Sequence, residues 1–205
     1  MITNIINWIS AILADFSYAG VFFLMTIDSL NIPIPSEVVL AFTGFLVGRG
    51  EMNMHLAALT AGLAGVFGSL LSYTIAYFGG RPLIERYGKY LLIHKTDLAG
   101  AERWLEKHGE LIFFFGRFIP VIRTFISLPA GILRARLVPF TLYTFGGTVV
   151  WSYIFIALGS SFGERWEVIE PVMKQFQWAV VGMLGMGIVW YVHRHVKKRG
   201  KLISD

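Results

Sequence analysis

Residues 116–131 read Gly116-Arg117-Phe118-Ile119-Pro120-Val121-Ile122-Arg123-Thr124-Phe125-Ile126-Ser127-Leu128-Pro129-Ala130-Gly131. They lie within an apolar stretch from Leu111 to Leu133 that is long enough to cross a bilayer, which takes roughly 20 residues at about 1.5 Å rise each. A straight lipid-facing helix here would leave two guanidinium groups in hydrocarbon, at a cost of about 2.5 to 3.5 kcal/mol apiece and roughly 5 to 7 together. Pro120 and Pro129 would add unsatisfied backbone carbonyls. The stretch therefore predicts a dip into the membrane, a re-entrant helical hairpin over 111–134, with Arg117 and Arg123 facing protein or a water-filled cavity.

A second broken stretch precedes it. Ile32-Pro33-Ile34-Pro35-Ser36-Glu37 opens an apolar run that continues to Val47, and the same argument predicts a hairpin near 31–48. Four other stretches read as spans: Leu56 to Phe78, Leu137 to Leu158, Phe176 to Val192, and Tyr18 to Ile27 if the preceding helix feeds into it. The whole chain of 205 residues is 55% hydrophobic and 15% charged, with a mean hydropathy of +0.62. This composition predicts an all-α integral membrane protein, one domain over 1–205, with about four spanning helices and two opposed re-entrant hairpins in an inverted repeat. Amphipathic helices are expected at 1–16 and in the loop over 81–110. The core then covers 17–160, the last span 175–193 and a basic tail 194–205.

The net charge of +5 is unevenly placed. Arg81, Arg86, Lys89, Lys95, Arg103 and Lys107 fall in one loop, Arg134 and Arg136 follow the second hairpin, and Arg194, Lys197, Lys198, Arg199 and Lys201 crowd the tail. The opposite side receives Arg49, Arg165 and Lys174. By the positive-inside rule, both termini are expected in the cytoplasm, and the basic surplus reflects topology rather than nucleic-acid binding. The absence of cysteine excludes a disulfide scaffold, thiolate chemistry and Cys-ligated metal.

A guanidinium matches phosphate bidentately, and two of them around a proline turn suit a phosphate head group. Snorkelling to the interface, or structural pairing with acids, is the alternative for Arg117 and Arg123. Glu37 and Asp28, near the mouth of the first hairpin, read as proton carriers; otherwise Glu37 is a first-turn helix acid and Asp28 a helix-end residue. Gly62, Gly65, Gly68 and Ser69, with Gly146, Gly147 and Ser152, are spaced for close helix packing. Trp8, Trp104, Trp151, Trp166, Trp178 and Trp190 read as interface anchors. Gly159-Ser-Ser-Phe-Gly163 matches a nucleophile-elbow pattern but lies at a span end, without the strand-to-helix turn that motif needs. His193 and His195 lack further ligands, so no metal site and no cofactor is expected.

These segments resemble the DedA family, also described by its VTT or SNARE-associated domain. The resemblance is carried by Ile32-Pro-Ile-Pro-Ser-Glu37 with Gly44, by Tyr77-Phe-Gly-Gly-Arg81, and most specifically by the 116–131 motif, covering about residues 20–160. It implies two opposed re-entrant hairpins and lipid movement across the bilayer, including polyprenyl-phosphate recycling, phospholipid transport or scrambling, and maintenance of proton motive force. Arg117 and Arg123 match the family's essential arginines, Glu37 the acid of its first hairpin, and Asp28 a position usually occupied by Glu. Ala135 stands where the family commonly has Met, and Ser69 where many members have a polar or acidic residue.

The reading as a whole is a non-enzymatic lipid transporter of a bacterial cytoplasmic membrane. Its substrate would be undecaprenyl phosphate first and a phospholipid next, with Arg117, Arg123, Glu37, Asp28, Pro120 and Ser127 at the substrate site and Glu37 and Asp28 coupling protons. The alternative is a proton-coupled transporter of a small ion or solute that maintains proton motive force.

Overall fold

In the computed structural model, residues 2–32, 34–80 and 109–162 are described. Among them all regular structure is helical. Helix α1 spans Ile2–Ser29 and is broken at Ser17, whose φ of 46° and ψ of −119° are non-helical. The break is sharp: a Cβ on Gly20 would lie 2.8 Å from the carbonyl oxygen of Ile12. Helix α2 covers Ser36–Gly48, and α3 covers Met54–Ile75 and runs on through a π turn, Ala76–Gly80. The 116–131 motif folds as short pieces. Helix α4 (Ile112–Phe115) leads into a 3-10 turn (Gly116–Phe118), then α5 (Pro120–Phe125) and α6 (Ser127–Ile132) follow. Helix α7 closes the described chain at Leu137–Phe162.

Local chemistry accounts for several of these limits. The side chain of Asn53 accepts from the amides of His55 and Leu56, capping α3. Ile119 is extended (φ −105°, ψ 112°), as expected of a residue before proline, and Pro120 then opens α5 where its missing N–H is harmless. Pro35 stands at the N-cap of α2 in the same way. Pro129 sits in the first turn of α6, also tolerated.

Trp8–Ser29, Met54–Gly80 and Leu137–Ser161 are long and apolar enough to cross a membrane. The first contains the Ser17 break. Leu56, Leu59, Leu63, Phe67, Leu71, Ile75 and Phe78 form an exposed stripe at helical spacing along α3. Val138, Leu142, Val150, Ile154 and Leu158 do the same on α7. In water such continuous apolar surface would be a liability, whereas in hydrocarbon it costs nothing. The chain is a membrane protein.

Two helical hairpins meet inside this frame. Asn53, at the start of α3, donates its N–H to the hydroxyl of Tyr18, while Ser72, near the other end of α3, donates to the carbonyl of Ser29. The second half of α1 thus runs alongside α3 in the same direction. Helix α2 returns antiparallel to it, with Gly44 against the backbone of Ile156 and Gly159 against that of Ala41, so α2 and α7 touch backbone to backbone. Residues 36–48 form a single helix, so no hairpin lies within the expected 31–48; the turn with Pro35 instead joins the end of α1 to α2, and these two helices are the arms of the first hairpin. The second hairpin approaches from the opposite end of α3: Gly131 packs on the carbonyl of Tyr73, and the Tyr73 hydroxyl donates to the carbonyl of Ala135.

The glycine spacing reads as packing. Gly62 faces Val149 and Phe145, Gly65 faces Thr148, and Gly68 lies against Thr26 and Ser29. Pro33, the loop helix and its cations, the 175–193 span, the basic tail, Gly163 and the remaining residues of 163–205 lie outside the described residues.

Candidate functional site

The tips of the two hairpins meet at a buried cluster of charge. Asn31, in the left-handed region at φ 68°, donates its amide to the carbonyl of Thr124 and accepts from the hydroxyl of Ser72. Beside it, Arg123 Nη2 lies 2.8 Å from Asp28 Oδ2, and Arg123 Nη1 lies 3.9 Å from Glu37 Oε1. The first is a charge-assisted hydrogen bond; the second is an ion pair beyond hydrogen-bond range. Ile119 and Pro120 break the helix between the two arginines. The break brings Arg117 Nη1 within 3.3 Å of the carbonyl of Arg123.

Arg117 is held quite differently from Arg123. Its Nη2 donates to the hydroxyls of Ser69 at 2.5 Å, Thr144 at 3.3 Å and Ser127 at 3.5 Å. Among the described residues it has no carboxylate in ion-pair range. Its stem passes over Gly147, where a Cβ would stand 3.0 Å from Arg117 Cβ. Both arginines are buried, at 3% and 4% exposure, so neither snorkels to an interface.

Four buried polar atoms here have no hydrogen-bond partner among the described residues: Arg117 Nε, Arg123 Nη1, Thr148 Oγ1 and Trp151 Nε1. Buried polar atoms are nearly always satisfied, so each calls for an explanation. Three of them can only donate. Thr144, Thr148 and Trp151 follow one another at i, i+4 and i+7 along α7: Thr144 meets Arg117, Thr148 packs against Gly65 of α3, and Arg123 stacks 5.0 Å over the Trp151 ring.

Of the residues singled out by the sequence, Arg117, Arg123, Asp28, Glu37 and Ser127 come together here. Pro120 opens α5 between the two arginines. Trp151 corrects the sequence reading: it is not an interface anchor but a buried wall of the site, 8% exposed, with Arg123 over its ring, Phe118 edge-on to it and Phe155 tilted against it. Asn31, Thr144 and Thr148 were not foreseen. Ser69 was noted as a packing residue, although its place at a position often polar or acidic in the resembled family was the available signal.

A family model described as the VTT domain matches residues 34–161. The chain belongs to this DedA family. Undecaprenyl phosphate transporter A of Bacillus subtilis is 34% identical over 199 residues, covering 97% of this chain and 96% of the relative. An alkaline phosphatase-like protein of Lactococcus lactis subsp. cremoris is 36% identical over 193 residues, covering 92% and 90%. Protein DedA of Escherichia coli is 25% identical over 158 residues, covering 76% and 70%. No solved structure matches the chain.

Proposed function

We propose that the protein moves a phosphate-bearing lipid, undecaprenyl phosphate first, across the bacterial cytoplasmic membrane, with both termini in the cytoplasm. The observation that carries this reading is the set of orphaned donors at Arg117 Nε, Arg123 Nη1 and Trp151 Nε1. Two guanidinium groups and an indole N–H together want a ligand that offers oxygen acceptors and negative charge, and a phosphate monoester offers both. The relatives named undecaprenyl phosphate transporter A, at 34% and 27% identity, support the same class of lipid.

In this reading the two hairpins are re-entrant and their tips meet near the bilayer midplane. Ser69 lies near the middle of the Met54–Gly80 stretch, and Thr148 near the middle of Leu137–Ser161, which supports that depth. Broken segments meeting at mid-depth are where secondary transporters hold their cargo. Arg117, fixed by Ser69, Ser127 and Thr144, binds the phosphate. Arg123 exchanges Asp28 and Glu37 for the phosphate on binding, and protonation of those acids couples the exchange to the proton gradient. The polyprenyl tail stays in lipid while the head group crosses. No covalent step is involved, so the protein acts as a transporter and not as an enzyme.

Head-group translocation in proteoliposomes tests this, with polyprenyl phosphate and phospholipid compared with and without a proton gradient. Arg117→Ala and Arg123→Ala should each abolish translocation while the protein remains in the membrane. Undiminished translocation in both variants would overturn the clamp. Proton flux with no lipid movement would favour the small-solute transporter, which the Asp28–Arg123–Glu37 cluster also suits.

A further inference from the structure

A second site lies at the other end of α3 from its N-cap, away from the buried arginines. A cavity of about 440 Å³ is lined by Tyr73, Thr74, Tyr77, Phe78, Arg134 and Leu137. Its floor is aromatic, with Tyr73 stacked on Tyr77 at 5.9 Å and Phe78 edge-on to Tyr77 at 5.1 Å. The π turn over Ala76–Gly80 re-aims Tyr77 and Phe78 relative to a continued α-helix, and such turns concentrate at functional positions. The rim is apolar and exposed: Ile75, Phe78, Leu137 and Val138 are all more than half exposed.

Among the described residues of that lining Arg134 is the one cation, and two features single it out. Its guanidinium sits 4.9 Å over the Tyr77 ring, and among the described residues it has no carboxylate partner, whereas Arg136, two residues on, reaches Glu110 at 4.0 Å. Its backbone is also unusual. Ala135 N–H bonds to the carbonyl of Ala130 and Arg134 N–H to that of Gly131, the paired bonds that end a helix in a Schellman motif. That motif puts its C′ residue in the left-handed region, where Arg134 has φ 52° and where glycine is strongly preferred. An arginine is thus kept where backbone preference alone would select glycine, and the strain holds its charge over the cavity.

We propose that this cavity is a docking site for the phosphate head group of a membrane lipid, separate from the Arg117 and Arg123 cluster. Arg134 takes the phosphate oxygens, Tyr77 stacks on the guanidinium and fixes its plane, and the exposed Ile75, Phe78 and Leu137 run beside the acyl chain. The occupant is a lipid rather than a free anion because Arg134 is ringed by the exposed apolar side chains of Ile75, Phe78, Leu137 and Val138 on helices that face hydrocarbon. The site also connects to the buried cluster. Ser69 and Tyr73 are spaced by four on one face of α3, and the ring of the buried Tyr73 stacks on Tyr77 in the π turn beyond, so the face that touches Arg117 leads through Tyr73 to Arg134. The cavity therefore collects the head group at the end of the path that the buried arginines occupy. This last point rests on the lipid-transport reading, whereas the docking itself does not.

The chain has no cysteine, so Leu137→Cys provides a unique thiol at the cavity for a bimane fluorophore. The labelled full-length protein in phosphatidylcholine nanodiscs is titrated with phosphatidic acid, whose head is a phosphate monoester. A saturable change in emission is expected. Adding Arg134→Gly should weaken it about tenfold, the loss of one charge-assisted contact, while leaving the thermal midpoint unchanged or raised because glycine suits the C′ position. Arg117→Gln should leave the titration in place. An unchanged titration in the Arg134→Gly protein overturns the proposal, as does displacement of the lipid by excess sodium phosphate, which would make this a free-anion site. Loss of the titration in Arg134→Gly alongside absent translocation by the unmodified protein would sustain the docking site and defeat the transport reading. Translocation that depends on Arg117 alongside an unaltered titration would do the reverse.

Discussion

Arg123 and Asp28 are 95 residues apart in the chain, and their side chains meet at 2.8 Å with both nearly inaccessible. This contact ties the tip of one hairpin to the tip of the other. Removing one partner leaves the other charge buried without its main counterion, which typically costs about 3–5 kcal/mol. Asp28→Asn and Arg123→Gln are each expected to destabilise the protein by roughly that amount. The double substitution should cost clearly less than the sum of the two. Thermal unfolding in detergent, read as a double-mutant cycle, measures this coupling; additive losses would mean that the pair does not hold the tips together.

Trp151 combines a ring against Arg123 with an indole N–H that has no acceptor among the described residues. Trp151→Phe keeps most of the packing and removes the donor. Its stability should therefore change by less than ~1.5 kcal/mol, in the range of near-volume-conserving core swaps. Lipid translocation should nonetheless slow. Trp151→Ala should lose about 3–5 kcal/mol of stability as well. Equal translocation by the Phe variant and the unmodified protein would remove the indole N–H from the site.

Arg117 depends on hydroxyl acceptors. Ser69→Ala and Thr144→Val each take one away, and a buried charged donor left short costs about 1–3 kcal/mol. Of the two, Ser69→Ala should have the larger effect, because its contact is the shorter. Gly147→Ala should also perturb Arg117 by pressing on its stem. Unfolding midpoints and translocation rates for the three variants test this ordering.

Gly44 and Gly159 have no room for a side chain, since each added Cβ would collide with backbone of the facing helix. Gly44→Val and Gly159→Val must separate α2 from α7. A loss of at least about 1–3 kcal/mol is expected, with aggregation on extraction from the membrane. Gly79, whose added Cβ would meet nothing within 4 Å, provides the control: Gly79→Ala should stay within about 0.5 kcal/mol. Size-exclusion profiles of the extracted proteins distinguish the two classes.

Much of the local structure was legible because it depends on chemistry within a few residues. Pro120 with extended Ile119, and Pro35 at the start of α2, are where backbone rules place a helix start. The lengths of the apolar runs marked Leu56 to Phe78 and Leu137 to Leu158 as potential spans, a few residues short of the Met54–Gly80 and Leu137–Ser161 stretches of the structure, and the glycine spacing on α3 marked its packing face. The motif around Arg117 and Arg123 also showed that two charges needed shelter. What could not be read was who shelters them. Ser69, Thr144 and Thr148 are small polar residues on long apolar helices, indistinguishable in sequence from those that only line a helix contact. Trp151 looked like any aromatic near a span end.

The same division holds for the molecule as a whole. By itself the sequence determined that this is a helical membrane protein with two proline-broken segments and buried arginines, because hydrophobic length, proline geometry and the cost of charge in hydrocarbon act along the chain. Only the tertiary structure decided that the hairpin tips meet, that Asp28 rather than Glu37 makes the close contact with Arg123, and that Arg117 rests on hydroxyls. Those outcomes depend on which helix faces touch between residues far apart in sequence, and that is settled by close backbone packing at Gly44, Gly147 and Gly159 rather than by any local preference.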